Sequence, residues 1–159
     1  MWIEEITLVN IKCFENQTIK FGTKDHPRRW VNLLGENGGG KSTVLQAVAL
    51  LLAGPDGAKQ LMPRPEGWLK NEKESGRITI RLHQGSNDPG KFGDQKERKV
   101  FQYSLYISGR EKIKINNKDY FEPEIIPVTG TQGKAGTWLR ENALTAKQKG
   151  WFAVGFGAF

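Results

Sequence analysis

The stretch "VNLLGENGGGKSTVLQAVALLLAG", residues 31–54, decides how this chain is read. An apolar run suited to a strand gives way to glycines at 35, 38, 39 and 40, then to Lys41, Ser42 and Thr43, and finally to an apolar run suited to a helix. Glycine loses more conformational freedom on folding than any other residue, so such a cluster weakens the element that carries it. A ligand that needs bare backbone accounts for the cluster. Gly35, Gly40, Lys41 and Ser42 satisfy the GxxxxGK[ST] spacing of a Walker A loop, in the order strand, loop, helix. Successive N–H groups of such a loop form an anion nest, and the positive end of the following helix adds to it.

The spacing assigns roles residue by residue. Side chains at Gly38, Gly39 and Gly40 would hold phosphate oxygens away from the backbone. Lys41 is predicted to reach the β- and γ-phosphates, Ser42 to ligate magnesium and Thr43 to donate toward the α-phosphate. Asn37 is predicted to brace the turn through side-chain to backbone hydrogen bonds.

Around this loop the chain reads as alternating β segments and buried runs. "EEITLVNIKCF" (4–14) and "QTIKF" (17–21) form an expected hairpin with its turn at Glu15 and Asn16. "WVNLL" (30–34) is apolar at nearly every position, as a central parallel strand covered on both faces would be. The helix after the loop carries Val44, Leu45, Ala47, Val48, Leu51 and Leu52 and is expected to be buried. Gly54, Pro55 and Gly57 should end it, with "PDGAKQLMPRPEGW" as a surface loop. "RITIRLH" (77–83), "KVFQYSLYIS" (99–108) and "KIKIN" (112–116) alternate with period two and predict an antiparallel meander with one wet face. A helix around 138–149 and a strand over "WFAVGFGAF" (151–159) complete the expectation. The units are therefore a hairpin at 1–22, a strand–loop–helix at 30–54, a meander at 77–120 and a helix and strand at 136–159.

Composition narrows the class. The chain has 159 residues, of which 37% are hydrophobic and 26% charged, a globular composition large enough for a real core. The longest apolar stretch, 44–53, is interrupted by Gln46 and falls short of the roughly 20 residues needed to cross a bilayer, so no membrane is expected. Glu4 and Glu5 stand where a signal peptide would be basic and then apolar, and the only cysteine, Cys13, forms no internal disulfide, which fits a cytoplasmic location and a buried thiol. The net charge of +7 favours polyanionic partners. Its densest part, from Lys91 to Lys118, reads first as a solvated surface whose lysines protect a sheet edge, with a DNA-contacting face as the alternative.

"LLGENGGGKST" (33–43), preceded by the hairpin "ITLVNIKCFENQTIKF" (6–21), resembles the start of ABC-type ATPases of the SMC, RecF and OLD group. The closing "GWFAVGFGAF" (150–159) is similar to a "GYGAF" strand of prokaryotic RecF-like AAA ATPases of defence systems. The resemblance implies an α/β P-loop fold, an ATPase head lobe with an N-terminal hairpin and an attached antiparallel β subdomain. It implies ATP and magnesium as ligands, head-to-head dimerisation around ATP, and action on DNA or beside a nuclease partner. It also implies that Lys12, with Cys13 and Phe14, lies in a segment contacting the base or phosphates.

Departures from the pattern shape the expectation further. No apolar strand ends in Asp-Glu, as a Walker B element would to hold magnesium and polarise water, and no LSGGQ-type signature or switch histidine follows. The expectation is an N-terminal lobe of a longer ATPase whose remaining segments complete hydrolysis. A GTPase would need NKxD, but "NNKD" (116–119) has the letters in the wrong order. A small nucleotide kinase would begin with the loop strand and fill its middle with helices, whereas this middle reads as β. A basic β-rich module that binds nucleic acid or a partner, with nucleotide as a structural ligand, is the alternative from a different class.

Overall fold

A computed structural model describes residues 2–23, 25–28, 30–62, 65, 67–83, 100–108, 113–115, 118–120 and 125–129. The described elements are β1 (Trp2–Ile11), β2 (Phe14–Lys20), α1 (Lys41–Leu61), β3 (Gly76–His83), β4 (Val100–Ile107), β5 (Ile113–Ile115), β6 (Lys118–Tyr120) and β7 (Ile125–Thr129). Five of the strands form one antiparallel sheet in the order β2-β1-β3-β4-β7, and β5 pairs with β6 in a separate ladder. The fold is mixed α/β, with the N-terminal hairpin and the antiparallel β region that the alternating runs predict. The two share a sheet, because β1 pairs with β2 on one side and β3 on the other.

Period-two alternation sorts the sheet into two faces. Ile6 lies opposite Ile80, Leu8 opposite Ile78, Tyr103 opposite Ile80 and Leu105 opposite Ile78, so buried side chains of three strands align in rows. Val44, Ala47, Leu50, Leu51 and Ala58 of α1 join the same core. Each large aliphatic removed from water there contributes roughly 1.5–3 kcal/mol before entropy is counted. On the other face Thr7 and Thr18 share a hydroxyl hydrogen bond of 2.9 Å, and so do Thr79 and Ser104. Thr7 also lies opposite Thr79, so these hydroxyls run as one row across four strands, with Arg77, Arg81 and Gln102 exposed on neighbouring rows.

Several local expectations change. The hairpin turn falls at Lys12 and Cys13, with Ile11 opposite Phe14, rather than at Glu15 and Asn16, which lie inside β2. This register puts Ile6 opposite Ile19, and a tertiary bond from the Lys12 N–H to the Trp68 carbonyl (2.7 Å) holds the turn, so packing overrides turn propensity. Residues 30–35 carry no ladder bonds: Trp30 is 91% and Leu34 93% exposed, and the central strand expected at 30–34 is not formed against any described neighbour. Apolar content alone does not make a strand without a paired backbone beside it.

Gly54 breaks the helix as expected, with φ 76° and ψ 179°, yet the chain resumes helical geometry to Leu61 where a surface loop was expected. Pro55, which lacks an N–H, is suited to that restart because the first helical donor has no partner in any case. The helix also buries one face only, leaving Leu45 61% exposed. Cys13 is exposed in the turn rather than buried. The third strand of the expected meander, β5, pairs with β6, and β7 takes the place beside β4. Pro127 is tolerated in β7 because, among the described residues, that strand is the edge of the sheet. The basic connector at 84–99 and the helix and strand expected at 136–159 lie outside the described residues.

Asn10 ties the end of β1 to the segment before β3. It has φ 53°, a left-handed conformation that asparagine tolerates better than most residues. Its Nδ2 donates to the carbonyls of Asn71 (2.9 Å) and Glu74 (3.1 Å), and its Oδ1 accepts from the Asn71 N–H at 2.7 Å. Asn10→Ala strands these groups and adds backbone strain, so it is expected to lower unfolding free energy by about 2 kcal/mol in a urea titration followed by circular dichroism. An unchanged midpoint would contradict this account of the residue.

Candidate functional site

The glycine-rich loop leads directly into α1. The Gly39 N–H donates to the Glu36 carbonyl at 3.1 Å and closes a tight turn, after which Gly40 caps the helix with φ 84° and ψ 8°. That left-handed conformation is open to glycine at little cost and to few other residues. Gly38, with φ 83°, has the same requirement, although open space surrounds its missing side chain. Gly40 has no space at all. A Cβ built there would overlap Phe14 Cζ and lie 2.7 Å from both Cys13 Sγ and Phe14 Cε2.

The start of α1 is left bare. Gly40 supplies no side-chain cap, no acidic residue occupies the first turn, and the Gly40 carbonyl accepts the Val44 N–H at 3.0 Å. The N–H groups of Lys41, Ser42 and Thr43 therefore precede the first intrahelical donor and face the loop side, where the helix dipole favours an anion. The Lys41 ammonium lies inside the loop and donates to the Gly35 carbonyl at 2.8 Å and the Glu36 carbonyl at 2.7 Å. An ammonium has three donors, so one remains for an incoming acceptor.

Of the residues expected to act here, Gly35, Gly38, Gly39, Gly40, Lys41 and Ser42 stand together on one accessible loop and helix start. Ser42 is exposed, while Thr43 is 7% exposed and turned into the core side of the first turn. Asn37 is exposed, and among the described residues its side chain makes no hydrogen bond; the Gly39–Glu36 backbone bond closes the turn instead. No group of three or more His, Cys, Asp or Glu among the described residues could hold a metal by itself. The uncapped N–H groups and the Lys41 ammonium are a donor set suited to an anion, and the exposed Ser42 hydroxyl stands beside them.

Lys12 is not a free surface lysine. It has φ 46°, is half-buried, and holds its ammonium 4.5 Å from the centroid of the Trp68 ring and 3.4 Å from Gln46 Oε1. Gln46 lies on α1, within two turns of Gly40, so the hairpin turn runs along the opening of the helix. Trp68 and Gln46 are the participants that sequence reasoning missed. Nothing in the sequence brings residue 68 to residue 12, since that proximity depends on the isolated bridge between Ile11 and Leu69.

Among the described residues no helix is long and apolar enough to cross a membrane. The Septu protein PtuA of Bacillus mycoides (strain KBAB4) is similar to this chain, with 38% identity over 90 residues; the match covers 55% of this chain and 13% of that protein. The family model described as AAA domain matches residues 5–145, a span that runs from β1 through the phosphate-loop motif and the whole described sheet. With that coverage, the chain belongs to the AAA domain family.

Proposed function

We propose that this chain binds magnesium-ATP through residues 35–43 as the N-terminal lobe of an SMC/RecF/OLD-like ATPase head. The observation that carries the reading is the start of α1: uncapped N–H groups behind a left-handed Gly40, with the Lys41 ammonium already inside the loop. Membership in the AAA domain family supports it. In this reading the amides of Gly38 and of Gly40 to Thr43, with the third donor of Lys41, bind the phosphates, and the Ser42 hydroxyl faces the cation. Bound magnesium would neutralise phosphate charge. Lys12, on the turn that abuts Gly40, supplies a second cation on the hairpin side.

Hydrolysis in this proposal belongs to the complete protein. A carboxylate that orients water and holds magnesium comes from outside the described residues, and two heads sandwich ATP between them. The complete ATPase then acts on DNA, or beside a nuclease partner, in repair or defence. The similarity to a Septu protein is compatible with that setting.

Lys41→Ala is expected to weaken magnesium-ATP binding at least about 100-fold in titration calorimetry, close to 2.7 kcal/mol, with an unchanged circular dichroism spectrum. Equal affinity in both proteins would refute the assignment. Ser42→Ala separates the metal from the phosphates. Chelation of magnesium should weaken ATP binding in the unsubstituted chain, whereas the variant should bind equally with and without the metal; an undiminished magnesium effect in the variant would remove Ser42 from the metal's ligands.

A further inference from the structure

The phosphate loop is held unevenly. On its N-terminal side, residues 30–35 have no ladder bonds among the described residues, and Trp30, Val31 and Leu34 are exposed. On its C-terminal side it enters α1, whose Val44 and Ala47 are buried in the core. Between these, three contacts from within the loop shape it, the Lys41 bonds to the Gly35 and Glu36 carbonyls and the Gly39 N–H bond to the Glu36 carbonyl. Among the described residues the hairpin turn contacts it from outside: Phe14 and Cys13 fill the space where a Gly40 side chain would stand.

We propose that the β1–β2 turn is the positioning element of the phosphate loop: the Phe14 ring, pressed on Gly40, holds that residue in the left-handed conformation that aims the first amides of α1 at the phosphates. The inference rests on the phosphate-binding reading above and adds to it a residue that touches no ligand atom.

The turn is itself firmly anchored. Phe14 packs against the core cluster, Ile11 beside it is fully buried and bridges to Leu69, and the Lys12 N–H donates to the Trp68 carbonyl. Glu15, the next residue, pairs with Lys70 at 3.3 Å. The turn therefore resists displacement by Gly40. A left-handed glycine has alternatives, since it can populate either sign of φ, and in each of them the following N–H points elsewhere. Closing off that freedom before binding removes an ordering cost from the binding step.

The test separates a positioning role from a contact with the nucleobase. Affinities for magnesium-ATP and for inorganic tripolyphosphate, which has no base, are measured by calorimetry on the unsubstituted chain, Phe14→Leu and Phe14→Ala. Phe14→Ala is expected to lose about tenfold toward both ligands by the same factor, with Phe14→Leu in between, because the loop serves every phosphate alike. Phe14→Leu keeps an apolar group in the core, so it carries the comparison should alanine unfold the chain, as judged by thermal melting. Unchanged affinity in the folded variants overturns the proposal, and so does a loss confined to ATP, which would make the ring a base contact. Failure of the unsubstituted chain to bind either ligand overturns the phosphate-binding reading itself, and the positioning role with it.

Discussion

The close approach of the β1–β2 turn to Gly40 joins the two halves of this structure. On one side lies a sheet whose second strand is the N-terminus itself; on the other lies a helix whose first residues carry the phosphate-loop motif. Only glycine satisfies both demands at residue 40, a positive φ and the absence of a side chain facing Phe14 and Cys13. A substituent there must move the turn or the helix, and each is fixed elsewhere: the turn by the Trp68 carbonyl and the helix by its buried Val44, Ala47 and Leu51.

That junction gives meaning to the position of β1. A first strand placed at a sheet edge would leave its turn free to fray, whereas β1 is paired on both sides and holds Ile6, Leu8 and Ile11 fully buried. Asn10, the last polar residue before the turn, is bound to the backbone ahead of β3. The turn is thus the end of a braced element. The same bracing puts Lys12 against Trp68 and Gln46, where a cation–π contact worth about 0.5–1 kcal/mol and a long hydrogen bond restrict a side chain that would otherwise sample solvent.

The loop motif and the sheet's alternation were legible in the sequence for one reason: both are local. GENGGGKS needs no partner to be recognised, and RITIRLH and KVFQYSLYIS declare a two-faced strand within eight or so residues. What escaped reading depends on distant backbone. The turn at Lys12 and Cys13 carries no turn-forming pair, and it is set by a register that aligns Ile6 with Ile19. β7 contains Pro127, which reads as a breaker until the strand is known to be an edge. Thr43 follows Ser42 by one residue, yet the 100° step of a helix leaves Ser42 exposed and Thr43 buried. The roles of Trp68 and Gln46 arise from pairings across more than thirty residues, which propensity does not encode.

Residues 30–34 show how far composition can mislead about local structure and still matter to the site. Their apolar run has the pattern of a doubly covered strand, but a strand is defined by its neighbours, and no described backbone pairs with this one. With Trp30 and Leu34 almost fully exposed, the segment exerts little restraint on Gly35, the first residue of the loop. The loop must then draw its shape from Lys41, which bonds the carbonyls of Gly35 and Glu36 and folds the chain back on its own ammonium, and from the turn that confines Gly40. In the proposed reading a phosphate takes the third donor of that ammonium, a charge-assisted bond added to the two carbonyl bonds and not exchanged for them. The front of the loop is thus held by its own lysine and its rear by the sheet, and the hairpin turn is what makes the two ends differ.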